Sequence, residues 1–210
     1  MVAACAALAG CASFTRPPKA RPTVTLEAGD PWRNVATAKD EQLLGRLRPA
    51  WAEAVAKARK AGFVRSLDRT GNLFDPAAAL PRPAPSPGAY SCRLYTIGSL
   101  APRDRPFVAG RSFFCFVGVE GGQLSFTADL VPTRIGGYLW DQEGAAQLTF
   151  LGSSARGRSV PLPPYGKTSE NGVPGIFERI GEFRYRLVLA SPLLGGEIAV
   201  LELKPVLPAA

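Results

Sequence analysis

Histidine, the residue type most often used in catalysis and metal binding near neutral pH, is missing from this sequence. None of the 210 residues is histidine. These residues therefore supply no histidine general base, no His-based catalytic triad and no histidine metal ligand. The groups that remain for chemistry are carboxylates, serines paired with lysine, and four cysteines.

Three carboxylates are candidates for acid–base chemistry: Asp129, Asp141 and Glu143. Glycoside hydrolysis needs two carboxyl groups at a defined separation, and these three can converge at one end of a sheet. However, the segment at 141–144 has the composition of an ordinary exposed turn. A hydrolase that acts on cell-wall material through carboxylates is therefore the weakest of three functional hypotheses.

A serine–lysine nucleophile is the other catalytic alternative, with Lys167 beside Ser153, Ser154 or Ser159. No spacing supports this pairing, and a solvated loop explains the same residues equally well. The sequence also has no phosphate-binding loop, dinucleotide fingerprint or metal-ligand cluster. It therefore favours a non-catalytic protein while leaving catalysis open, and it predicts no cofactor and no bound metal.

The first eleven residues look like the start of a bacterial lipoprotein precursor. Residues 1–10 are apolar and uncharged, and the tetrapeptide that ends at Cys11 resembles a lipobox. In that class the signal peptide is cleaved before the cysteine, which is then lipidated. A signal peptide opens with a basic segment, so we expect one upstream of Met1. The alternative is a cytosolic protein with an alanine-rich, frayed N-terminus.

Export would also explain the other cysteines. Cys5 would leave with the signal peptide, so Cys92 and Cys115 would remain as an even pair in an oxidising compartment. A bridge between them would close a loop of about two dozen residues and stabilise the fold by roughly 3 kcal/mol. The alternative is two buried free thiols.

Residues 11–29 read as a lipidated cysteine followed by a flexible tether. Three prolines would extend this segment to about 50 Å at about 3.1 Å per residue. Ala12, rather than Asp, follows the cysteine, which favours the outer membrane by analogy with lipoprotein sorting. We therefore predict a lipoprotein of the cell envelope. We expect it not to bind nucleic acid, because its +8 charge is spread along the chain without a basic block.

The remaining residues, 30–205, are expected to form a single globular domain that begins with helical structure over 37–70. Thr37 is a good helix N-cap, and apolar residues recur behind it at helical spacing up to Gly62. Pro49 lies inside this pattern and should kink or split the helix. The amphipathic pattern predicts a helix that packs against a core.

From 88 to 204 the apolar pattern alternates with a period of two. It predicts eight strands, near 89–97, 112–119, 123–130, 134–140, 146–151, 174–180, 183–189 and 197–204. We therefore expect an α+β fold, mainly β, in which an N-terminal amphipathic helix covers one end or face of a small antiparallel barrel-like sheet. Inward-facing aromatic residues are expected among Phe113, Phe114, Phe116, Phe126 and Trp140.

Residues 152–172 interrupt the strand pattern with a long, polar segment rich in Pro and Gly. Long loops without secondary structure are uncommon unless they are functional or mobile. Tyr and Arg dominate the energetics of protein interfaces, so a contact role is plausible for this segment. Its candidate binding residues are Arg156, Arg158, Tyr165 and Lys167.

Several segments between 30 and about 205 form a recognisable set: 30–37, Ala50-Trp51, 78–98, 122–126, 150–152, 165–166, 178–181 and 186–189. Together they resemble an uncharacterised proteobacterial lipoprotein family, domain of unknown function four-eight-nine-three. Of the turn that family members carry after the Leu-Ser-Phe strand, only Arg134 is retained here, which makes it a further candidate for binding. The resemblance implies the fold and export but no activity.

Two binding hypotheses therefore stand ahead of the hydrolase. The first is a non-catalytic envelope lipoprotein that acts as a binding or inhibitor-like module, attached to the membrane by its lipid and facing an envelope protein in the periplasm. The second is a carrier of a small apolar ligand inside the barrel, since eight strands can just enclose one. A barrel filled by its own side chains is the alternative to a hollow one.

Overall fold

The protein is described here from a computed structural model. The structure describes residues 30–99, 101, 105–157, 159–166, 171–190, 194 and 196–206. Eight antiparallel strands close into a barrel in which each strand pairs with its neighbours in sequence and β1 pairs with β8. Their bounds are β1 Gly88–Ile97, β2 Phe107–Glu120, β3 Gln123–Asp129, β4 Thr133–Asp141, β5 Leu148–Arg156, β6 Gly172–Gly181, β7 Arg184–Leu189 and β8 Ile198–Pro205.

The predicted helix is present and starts where the sequence indicates. Helix α1 spans Ala38–Ala58, and the Thr37 hydroxyl accepts a hydrogen bond of 3.2 Å from the backbone N–H of Asp40. After a π-helical turn at Arg59–Phe63, α2 spans Val64–Asp68. Short 3-10 turns lie at Pro31–Asn34, Gly71–Phe74 and Pro76–Ala78.

Pro49 does not split α1, contrary to one alternative drawn from the sequence. Pro49 and Gly45 are both exposed, so the carbonyl of Gly45, which loses its helical donor to the proline, can be hydrated. The backbone leaves the helical conformation at Gly62, whose φ of 91° is rarely adopted by residues other than glycine.

The barrel interior is packed with side chains. Phe126 lies edge-on to Phe150, with 5.9 Å between ring centroids, and Tyr185 contacts both Phe177 and Tyr90 at 5.7 and 6.1 Å. These residues belong to one buried apolar cluster to which every strand contributes. The structure therefore favours the filled barrel over the hollow one, and a ligand enclosed along the axis is not supported.

A second apolar cluster lies outside the barrel, between residues 38–78, which we call the helical segment, and one wall of the barrel. Leu47, Trp51, Ala54 and Ala58 of α1 are buried there. They pack on outward-facing residues of β6, β7, β8 and β1, namely Ile176, Ile180, Val188, Ile198, Val200, Tyr95 and Ile97. The prediction that the helix covers a face of the barrel is confirmed.

Two strands are longer than predicted. β2 starts at Phe107 instead of 112, and β5 continues to Arg156 instead of ending at 151. Residues 152–156 are therefore strand rather than loop, and only 157–171 connect β5 to β6. The sequence Gly-Ser-Ser-Ala-Arg carries no apolar alternation, but its backbone pairs with β4 throughout.

Candidate functional site

Tyr165, one of the predicted contact residues, holds the β5–β6 connection onto the helix. Its hydroxyl donates to a carboxylate oxygen of Asp40 at 2.5 Å, and Asp40 is buried in the first turn of α1. Burial, followed by this hydrogen bond, raises the pKa of Tyr165 above its ordinary value. The phenol thus has a structural contact already, and any interface role would have to use its half-exposed ring.

The same connection lies against the outer wall of β3, β4 and β5 through residues 159–166. The Ser153 hydroxyl donates to the carbonyl of Pro163 at 2.5 Å. Leu162 covers Gly136 so closely that a Cβ there would lie 2.6 Å from the Leu162 methyl. Arg134 donates to Asp129 at 2.8 Å and to the carbonyl of Val160 at 3.3 Å, so this predicted binding residue also supports the connection.

Arg156 lies at the rim of the barrel. β5 ends there, and Arg156 is opposite Thr133, two residues beyond the pair formed by Ser154 and the buried Ile135. Because strand side chains alternate, Arg156 is on the inward face at this rim. The other predicted sites, Cys11, Arg158 and Lys167, lie outside the described residues.

The three candidate carboxylates do not converge, so that prediction is wrong. Asp129 is opposite Arg134 at the start of β4, whereas Asp141 is at the end of the same strand. Asp141 is seven positions after Arg134 along the strand, which corresponds to about 23 Å. Glu143 lies beyond Asp141, where its backbone N–H bonds to Asp30. Glycosidases need carboxyl groups within about 10 Å, so Asp129 cannot pair with Asp141 in such a site.

The disulfide predicted between Cys92 and Cys115 is present, with 5.9 Å between the two Cα atoms. Cys92 lies opposite Phe113 and Cys115 lies opposite Tyr90, so the bridge runs diagonally between β1 and β2. Both cysteines are buried in the barrel interior. Because Cys115 points inward, its neighbours in β2 must point outward.

Phe114 and Phe116 consequently lie on the outside of the barrel, contrary to any inward assignment, and are 64% and 54% exposed. Phe114 is opposite Ser91, and Phe116 lies between Ala89 and Thr127 of the neighbouring strands. We call this outer surface of β1, β2 and β3 the aromatic wall. Of the other predicted inward aromatics, Phe126 is interior and Phe113 packs against the same core. Trp140 follows the inward Leu139 in β4 and is therefore on the outer face, so its inward assignment is wrong.

A charged row that the sequence did not reveal lies beneath the helical segment. Glu178 and Arg186 are opposite each other on β6 and β7, both fully buried, with 2.6 Å between Nε and Oε2. Arg186 also donates to the carbonyls of Leu73 and Asp75. Its guanidinium is 4.6 Å from the centre of the Trp51 ring, and Arg48 of α1 bonds to the other oxygen of Glu178.

The pKa values in this row follow from burial and pairing. Burial lowers the pKa of Arg186 from its ordinary value, and Glu178 offsets part of that effect. Burial alone would raise the pKa of Glu202 in β8, but Lys204 and Arg184 together bring it below its ordinary value. Arg48, Arg184 and Arg186 form bonds between the helical segment and the wall. Lys204, by contrast, pairs with Glu202 on the same strand.

The barrel has two ends, and we call the one where β1, β3, β5 and β7 terminate the mouth. A cavity of about 450 Å³ opens there. Leu94 of β1, Ser154 and Arg156 of β5, and Asn171 are among the residues that line it. It is separate from the aromatic wall, which is on the outer surface.

Two further observations concern metals and membranes. Within the described part of the chain, no group of three or more Cys, Asp or Glu residues is placed to hold a metal ion. Among the helices of the same residues, none is long and apolar enough to cross a membrane.

Comparison with known proteins identifies a family without adding an activity. No curated protein and no solved structure matches the chain. A family model described as Domain of unknown function (DUF4893) matches residues 32–203. That range contains strands β1 to β7, most of β8, the helical segment and the disulfide. The chain therefore belongs to the DUF4893 family.

Proposed function

We propose that this protein is a non-catalytic cell-envelope lipoprotein that acts as a binding or inhibitor-like module. Its aromatic wall binds another protein of the envelope. The observation that carries this proposal is the exposure of Phe114 and Phe116 side by side on β2, between the wall that the helical segment covers and the part of β3, β4 and β5 that residues 159–166 cover. Single exposed apolar residues are common, but paired exposed aromatics on one flat face are typical of interaction sites.

A protein fits this wall better than a lipid surface does. The residues beside the two rings are small or polar: Ala89, Ser91 and Thr127. Charges of both signs surround them, with Lys204 opposite Ser91 on one side and the Asp129–Arg134 pair on the other. An aromatic centre with a mixed polar rim is the usual anatomy of a protein interface, whereas lipid-binding faces carry mainly basic residues.

The anchor and location complete the proposal. Acylation of Cys11 would attach the domain to the membrane, and residues 12–29 would let it reach partners across the periplasm, with the outer membrane as the favoured site. Radiolabelled palmitate should label the product of the full-length gene and not a Cys11→Ser variant. If the unsubstituted protein takes up no label, the lipoprotein part of the proposal is wrong.

The binding part is tested with three exposed phenylalanines. Phe183 is 61% exposed, close to the 64% of Phe114, but lies in the β6–β7 turn away from the wall. The protein would be purified gently from its own envelope as wild type, as Phe114→Ser/Phe116→Ser and as Phe183→Ser. We expect one co-purifying protein to fall at least tenfold in the double variant and to stay constant in the control.

The result against the proposal is equal recovery of every co-purifying protein in all three samples. Circular dichroism of each variant shows whether the barrel is intact. Exposed positions usually change stability by less than about 0.5 kcal/mol, so loss of the fold is not expected.

A further inference from the structure

The mouth cavity has a composition that the aromatic wall and the helical interface do not share. Its volume of about 450 Å³ lies within the range of about 300–1,000 Å³ found for small-molecule sites. It opens to solvent at the rim and is closed below by the packed barrel interior. A ligand would therefore enter from the end of the barrel and stop at the core.

Part of the cavity lining is apolar. Leu94, Leu130 and Leu194 line it, and all three are half-buried residues that pack against the barrel core. Val131 and Pro132 continue this apolar lining along the β3–β4 turn. An alkyl chain placed against these side chains would leave water at a gain of about 0.8 kcal/mol per methylene group.

The remaining lining is polar and carries one charge. Arg156 is the single charged residue among the described residues that line the cavity, and no carboxylate is among them. Within the described part of the chain Arg156 forms no ion pair. Ser154 and Asn171 also line the cavity, and the Ser154 hydroxyl is 3.5 Å from the backbone carbonyl oxygen of Asn171.

We propose that the mouth cavity binds a single-chain amphiphile with a monoanionic head group, such as a fatty acid. The anionic head lies on the Arg156 guanidinium, which can form two parallel hydrogen bonds to a carboxylate. The alkyl chain lies on Leu94, Leu130 and Leu194. This site is distinct from the protein-binding wall, and either can exist without the other.

The probes are three twelve-carbon compounds that differ in head charge: dodecanoate, dodecanol and dodecyltrimethylammonium. Each is titrated calorimetrically into the full-length protein below its micelle concentration. We expect dodecanoate to bind most tightly and the cationic compound least tightly. Arg156→Gln should weaken dodecanoate binding at least tenfold and leave dodecanol binding unchanged.

Two further variants distinguish binding at this site from nonspecific binding elsewhere on the protein. Arg111→Gln removes an exposed arginine of β2 that does not line the cavity, and it should bind dodecanoate as the wild type does. Leu94→Gln should weaken both dodecanoate and dodecanol. The proposal is overturned if wild-type protein does not bind dodecanoate, or if Arg156→Gln binds it as tightly as wild type does.

Native mass spectrometry of protein from its own envelope separates the sources of such a ligand. An added mass of about two to three hundred daltons corresponds to a free fatty acid, and a larger one to a single-chain phospholipid with the same anionic character. Either mass supports the proposal when Arg156→Gln loses it, and retention of the mass by that variant contradicts it.

Discussion

Glu178 and Arg186 show how single residues fix the helical segment on the barrel. Both are fully buried, and Arg186 reaches carbonyls of the turns that follow α2. The period-two pattern of β6 and β7 indicates that the two residues can share a face, but it does not show what covers that face. Their burial depends on the helix, which is more than 100 residues earlier, so the sequence pattern of the strands could not reveal it.

We expect Arg186→Met to lower the free energy of unfolding by about 3–5 kcal/mol, because Glu178 keeps a buried charge with only Arg48 to compensate it. The double variant Glu178→Leu/Arg186→Met should recover part of this loss, since it removes both charges. Urea denaturation of the wild type and the two variants measures the effect. A double variant less stable than Arg186→Met alone would contradict this account.

The raised pKa of Tyr165 predicts that the stability of the folded protein depends on pH in the alkaline range. The Tyr165 pKa is raised in the folded protein, so the unfolded chain loses the phenol proton first. The stability that Tyr165 contributes is therefore fully present below the ordinary tyrosine pKa of about 10 and is lost as pH rises above it. Tyr165→Phe should cost about 1–3 kcal/mol at neutral pH because Asp40 loses its partner.

Unfolding free energies of wild type and Tyr165→Phe at pH 8 and pH 11 check this prediction. The difference between the two proteins should shrink at the higher pH. Tyr90, whose pKa burial raises to about 12, is present in both proteins and cancels in the comparison. A difference that is constant with pH would show that the Tyr165–Asp40 contact does not titrate as described.

At the scale of elements, the strands were largely predictable from the sequence. The way the helical segment and residues 159–166 cover the outside of the barrel was not. All eight strands appear near their expected positions because apolar residues alternate and turn residues separate the runs. The β6–β7 turn has the two-residue length that the predicted strand bounds imply, but it lies one residue later, because β6 ends at Gly181 and β7 starts at Arg184. The polar end of β5 was missed because pairing with β4, rather than its own side chains, orders it.

The connection over residues 159–166 gives a prediction at this scale. Gly136→Val would introduce atoms where Leu162 lies, so Leu162 should be displaced and the segment should loosen. Overpacking of this kind costs about 1–3 kcal/mol. Limited trypsin digestion should cut the β5–β6 connection faster than in wild type.

Gly45→Ala is the matched control, because a Cβ at Gly45 meets nothing within 4 Å. It should leave digestion of the connection unchanged and stabilise α1 by about 0.5–1 kcal/mol, as expected for alanine in place of a helical glycine. Equal cleavage rates for Gly136→Val and wild type would mean that Leu162 does not hold the segment down.

At the scale of the whole molecule, the walls of the barrel are covered unequally. The helical segment covers β6, β7, β8 and β1, and residues 159–166 lie over part of β3, β4 and β5. Phe114 and Phe116 lie between these two coverings. The sequence contained the signal for this surface, because an inward disulfide at Cys115 turns both neighbouring phenylalanines outward. The sequence did not show how much of the barrel the helical segment and residues 159–166 cover.

The central claim is that the aromatic wall is a contact surface for another protein. The most direct measurement is photo-crosslinking in the cells that make the protein, with benzoylphenylalanine in place of Phe114, Phe116 or Phe183 in turn. Our account predicts a discrete protein adduct from position 114 or 116 and none from position 183. Adducts of equal yield from all three positions, or none from positions 114 and 116, would contradict it.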